Sequence, residues 1–107
     1  MNKNQYLILK QIHDFVNSNG GNFSAFYIGV TDNPISMLRF HGVKLHRDGD
    51  DIVSENTPVG TWCLPNEVEA RELKAYMAGR GMSGRLGGTR AVSTYVYCYK
   101  ITPDTRQ

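Results

Sequence analysis

The stretch from Phe26 to Gly42, FYIGVTDNPISMLRFHG, admits very few local folds. Its first residues, Phe26-Tyr27-Ile28-Gly29-Val30, are a short apolar run of strand length. The run breaks at Thr31-Asp32-Asn33-Pro34. There Asn33 or Asp32 can accept hydrogen bonds from the free N–H groups of a helix start, and Pro34 fits the first turn. A short helix over Asn33 to His41 follows, with Leu38 turned inward and Arg39 and His41 near its end. The segment therefore reads as strand, tight turn, helix, with Tyr27 on the strand.

The rest of the chain supplies elements for this unit to pack against. Leu7, Leu9, Ile12, Phe15 and Val16 form a helical stripe within Gln5 to Val16, and Gly20-Gly21 supply a left-handed end to it. Phe23 to Thr31 is predicted as the first strand and Thr61-Trp62-Cys63 as a short one. Asn66 with Glu69 makes a capping-box pattern that opens a helix running to Ala78, with Val68, Leu73, Tyr76 and Met77 on its apolar face. Ser93 to Ile101 is dense in tyrosine and β-branched residues and reads as a strand. Tyr95, Tyr97 and Tyr99 alternate along it and share one face, expected to be core under a helix rather than a platform for stacking bases. The polar tract Gly42 to Gly60 has no clear period and is expected to be the least regular part, a long functional or mobile loop. With 107 residues, no repeat and no linker, the chain is expected to form one domain, 1–107. The expected class is α+β, a small, mostly antiparallel sheet flanked by helices.

Composition excludes several classes. No apolar run approaches membrane-span length, and MNKNQYLILK is not a signal peptide, so no membrane contact is expected. Two cysteines, Cys63 and Cys98, make no disulfide framework, and a cytoplasmic chain with reduced thiols is the expectation. The acidic run Asp48, Asp50, Asp51, Glu55 does not have calcium-loop spacing. His41 and His46 with the cysteines lack zinc-site spacing. A net charge of +2 permits nucleic-acid contact without demanding it. Positive charge is concentrated in GRGMSGRLGGTR, where Arg80, Arg85 and Arg90 alternate with glycines that let a backbone approach an anion.

Tyr27-Ile28-Gly29, Thr31, Leu38 and His41 resemble the core of the GIY-YIG nuclease superfamily, whose members read roughly Y-I-G-x-T followed by a helix carrying R-L-x-x-H. The resemblance implies the superfamily's fold. In such proteins an arginine on this helix helps hold the phosphate being cut, and a glutamate on a later helix holds a divalent metal. Here Met37 stands in the arginine's place and Lys74 in the glutamate's, and an ammonium group cannot ligate Mg²⁺. The opening G-I-Y element is replaced by the helical pattern of Gln5 to Val16. From Phe26 onward the chain is also similar in outline to small bacterial proteins sharing YIG-x-T, a VAR-type helix, a glycine-rich stretch and a VYAYK-like strand. Val68-Glu69-Ala70-Arg71, Gly87-Gly88 and Tyr95 to Lys100 carry that similarity, and Arg85, Leu86, Thr89 and Arg90 depart from it.

The reading that follows is a non-catalytic GIY-YIG-like domain binding a phosphate-bearing ligand, a nucleic acid or a nucleotide. Tyr27, Arg39, His41, Lys74, Arg80, Arg85 and Arg90 would line its site, with no cofactor. One alternative is a divergent metal-dependent endonuclease, in which Arg39 replaces the missing arginine and Glu69 or Glu72 holds Mg²⁺. Arg39 lies two positions from Met37, about 200° around a helix, which opposes that arrangement. The other alternative is a protein-binding inhibitor or adaptor of a mobile element, which an exposed apolar patch would favour.

Overall fold

The computed structural model describes residues 1–84 and 93–107. Helix α1 spans Lys3–Ser18 and is opened by a capping box. The Asn2 side chain accepts from the Gln5 N–H (2.9 Å), and the Gln5 side chain accepts from the Asn2 N–H (2.8 Å). Its buried stripe is Gln5, Ile8, Leu9, Ile12 and Val16, whereas Leu7, predicted to join it, is exposed. Phe23–Ala25 form a single 3-10 turn capped by Asn22 rather than the start of a strand, so β1 is Phe26–Thr31. Helix α2, Pro34–Phe40, starts as predicted, with the Asn33 side chain accepting from the Ser36 N–H and Pro34 in the first turn.

Helix α2 ends in a Schellman motif. The Val43 N–H reaches the Leu38 carbonyl and the Gly42 N–H the Arg39 carbonyl, each at 3.0 Å, with Gly42 at φ 85°. The motif carries Leu38 and Val43 into one apolar cluster.

The tract Gly42 to Gly60 corrects the expectation of an irregular loop. It holds a hairpin, β2 (Leu45–Asp48) and β3 (Asp51–Ser54), and the start of β4, Val59–Cys63. The hairpin turns on Gly49-Asp50, with Gly49 at φ 65° and no positive φ at Asp50, the arrangement a type II′ turn requires. Both strands are largely exposed, so no buried alternation marked them in the sequence. Helix α3 is Glu67–Gly79, capped by Asn66, and the last strand, β5, is Tyr95–Lys100.

The fold is α+β. A three-stranded antiparallel sheet in the order β1-β5-β4 is accompanied by the separate β2–β3 pair. Alternation along β1 and β5 splits the side chains between two layers. Phe26, Ile28, Val96 and Cys98 face α1 and α3 and join Ile12, Val16, Leu73 and Met77 in the main core. Tyr27, Tyr97 and Tyr99 face α2 and join Leu38 and Val43 in a smaller second core. The tyrosine face is thus core at Tyr97 and Tyr99, while Tyr95 is half-buried. No helix among the described residues is long and apolar enough to cross a membrane.

Candidate functional site

The structure brings Tyr27 and His41 together and closes them off. Their ring centroids lie 4.6 Å apart, at 4% and 3% exposure. His41 Nδ1 lies 2.6 Å from the Arg106 carbonyl oxygen, which can only accept, so this nitrogen carries the proton. In the neutral ring Nε2 therefore accepts from the Tyr97 hydroxyl at 3.0 Å. The same Arg106 carbonyl accepts from the Tyr99 hydroxyl (2.9 Å), and the Arg106 N–H donates to the His41 carbonyl (2.6 Å). Burial, and then the neighbouring Tyr27 and Tyr99, push the Tyr97 hydroxyl well above the usual tyrosine range; burial and Tyr27 do the same to Tyr99. The hydroxyls of Tyr97 and Tyr99 are thus engaged by His41 and by the Arg106 carbonyl.

The remaining predicted site residues lie elsewhere. Arg39 is exposed, on a shallow surface with Lys44, Glu55, Asp104 and Arg106. Lys74 is half-buried on α3, which packs on the opposite side of the sheet from the tyrosines. Burial, and then the like charge of Arg71, lower the Lys74 pKa. A Cβ built on Gly84 would stand 3.5 Å from Lys74 Cε and 2.6 Å from the Ile28 carbonyl, so Lys74 reaches the outer edge of β1. Arg80 is exposed at the end of α3, its guanidinium 5.8 Å from the Tyr76 ring centroid. Arg85 and Arg90 lie outside the described residues. Among the described residues, Tyr27 and His41 are thus buried on the α2 side of the sheet, Arg39 lies on the surface, and Lys74 and Arg80 belong to α3 and its end on the other side. Of the two carboxylates considered for Mg²⁺, Glu69 accepts hydrogen bonds from the side-chain amides of Asn2 and Asn66, and Glu72 is exposed. Among the described residues, no three His, Cys, Asp or Glu side chains gather where they could hold a metal.

A different site emerges on the tyrosine face. A cleft of about 490 Å³ opens between the start of α2, the β2–β3 hairpin and the β4–β5 ladder. Ile35 and Leu38 form one wall, Leu45 and Ile52 the other, and Val59, Thr61 and Tyr95 the floor. Among the described residues that line it, Asp32 is the charged one. Ile35 and Ile52 are exposed at the rim. Sequence reasoning missed this cleft because it missed the hairpin. Gly49-Asp50 between Leu45-His46-Arg47 and Ile52-Val53 was the available signal, since a two-residue turn there sets Leu45 and Ile52 on one face of the pair.

Compared with protein-family models, with characterised proteins and with solved structures, the chain matches none.

Proposed function

We propose that this chain is a non-catalytic binding module that holds a partner protein in the cleft between α2 and the β2–β3 hairpin. The observation that carries the proposal is the cleft itself: concave, walled by Ile35, Leu38, Leu45 and Ile52, and floored by the polar groups of Thr61 and Tyr95. Its volume, about 490 Å³, accommodates a few apolar side chains of a partner. The aromatic and histidine groups that would otherwise suggest chemistry are consumed in packing beneath α2. Panning a library of displayed random linear peptides tests the proposal. Selected peptides should bind Ile52→Asp at least about tenfold more weakly than wild type, because the introduced carboxylate must be desolvated against an apolar side chain. Position 52 is on the exposed hairpin, so the variant should keep the wild-type melting temperature. Equal binding to the folded variant would show that the cleft is not the site.

A second reading, a phosphate-bearing ligand, is favoured by one observation at the other side of the sheet. Lys74 is held near the like charge of Arg71, beside Gly84, which approaches the β1 backbone closely. Arg71 is paired with Glu67 at 3.2 Å, so an anion there would be met chiefly by the Lys74 ammonium and the close backbone at Gly84. Titration of labelled oligonucleotides and free nucleotides at two salt concentrations tests this. Binding that weakens with salt and with Lys74→Gln would support it, and no binding at low salt would end it.

A further inference from the structure

We infer that the partner docks as an extended segment that adds a strand to the outer edge of β4 and places alternate side chains in the adjoining cleft. The inference rests on the cleft being a protein-binding site and specifies how it is used.

The sheet has two outer edges, and they differ. That of β1 is occupied by Ser83, whose N–H donates to the Phe26 carbonyl (2.9 Å) and whose carbonyl accepts from the Ile28 N–H (2.8 Å). That of β4 pairs with nothing among the described residues. The β4–β5 register decides which groups that edge presents. The Lys100 N–H reaches the Pro58 carbonyl (3.1 Å) and the Leu64 N–H the Thr94 carbonyl (2.9 Å). In an antiparallel ladder the bonded pairs alternate, so Gly60 and Trp62 turn their backbone groups toward β5. Val59, Thr61 and Cys63 turn theirs outward, and among the described residues no hydrogen bond reaches them.

The side chains of Val59 and Thr61 floor the cleft. A residue added directly opposite Thr61 directs its side chain to the same face, as do those two positions before and after it. One extended segment therefore satisfies both halves of the surface, its backbone bonding the edge and its alternate side chains filling the cleft. The charge asks for a basic residue. Asp32, the charged group among the described lining residues, follows Thr31, which shares a row with Tyr95 and Cys63, so the base belongs at the Cys63 end. A second copy of this chain fits less well. Its β4 could pair edge to edge, but its own Val59 and Thr61 already floor its own cleft and cannot fill the first.

The test uses the full chain and a blocked synthetic peptide, Lys-Thr-Leu-Thr-Leu-Thr-Lys, whose leucines and lysines share one face, read by amide hydrogen exchange and by titration. Peptide should slow exchange at Val59, Thr61 and Cys63 at least about tenfold and leave Gly60 and Trp62, already bonded to β5, nearly unchanged. Thr61→Pro deletes an outward N–H, a change that an edge strand tolerates, and should weaken binding at least about tenfold. Ile52→Asp should weaken it as well. If Ile52→Asp weakens binding while Thr61→Pro does not and the three amides stay unprotected, the cleft still binds but strand addition is wrong. If Thr61→Pro does not fold, amide protection in the wild type decides alone. Failure of the peptide to bind at millimolar concentration overturns the inference. So does a dimer in sedimentation that protects the same amides without peptide.

Discussion

Replacing Gly29 by alanine should destabilise this protein more than a single methyl group suggests. Gly29 pairs with Tyr97 across β1 and β5 and has no positive φ, so its requirement is steric. An added Cβ would stand 2.3 Å from both Cζ and the hydroxyl oxygen of Tyr97 and 2.5 Å from Cε1. The ring cannot swing aside freely. It is 2% exposed, stacks on Tyr27 at 6.2 Å between centroids, and donates to His41. Overpacking a core costs about 1–3 kcal/mol. Parting Tyr97 from His41 leaves a buried acceptor unsatisfied and adds about 1–3 kcal/mol. The expected loss is therefore roughly 2–6 kcal/mol, measured by urea unfolding followed through the fluorescence of Trp62. Gly29→Ala combined with Tyr97→Val should lose less than the sum of the single changes, with a coupling of about 1 kcal/mol or more, because the smaller side chain vacates the space. A loss below about 0.5 kcal/mol for Gly29→Ala, or additivity in the double variant, would refute the account of a locked tyrosine.

Three further outcomes follow from the same structure. Tyr97 and Tyr99 have folded pKa values raised above the ordinary value of about 10. Above that pH these two phenols stay protonated in the native state and ionise in the unfolded one, so their contribution to stability should be constant below about pH 10 and be lost as pH rises beyond it; phenolate absorbance during alkaline titration should show these two tyrosines ionising only with unfolding. Burial raises the Cys98 thiol while Cys63 is exposed, so a disulfide reagent should modify one thiol per native chain and both after denaturation. Asn2→Ala removes the α1 cap and the contact with Glu69, and should cost about 1 kcal/mol, seen as a lower urea midpoint with unchanged slope.

Locally dictated features were legible in the sequence. The Asn33-Pro34 start of α2, the Asn66 cap of α3, the tyrosine-rich strand β5 and the α+β class all follow from capping chemistry and periodicity, which act within a few residues. The hairpin was legible only in part, since its exposed strands bury no alternating face and Gly49-Asp50 was its one mark.

What the chain could not reveal on its own is where its side chains meet. Sequence by itself determined that Tyr27 lies on a strand and His41 at the end of the following helix. Only the tertiary structure decided that the two stack in a closed core, with His41 bonded to Tyr97 and to the carbonyl of Arg106 from the far end of the chain. The same holds for the cleft, whose walls come from α2 and the hairpin and whose floor comes from β4 and β5. The physical reason is range. Caps and turns are set by hydrogen bonds between near neighbours in sequence, whereas a burial partner or a cleft wall is set by the pairing of segments tens of residues apart, which no local pattern encodes.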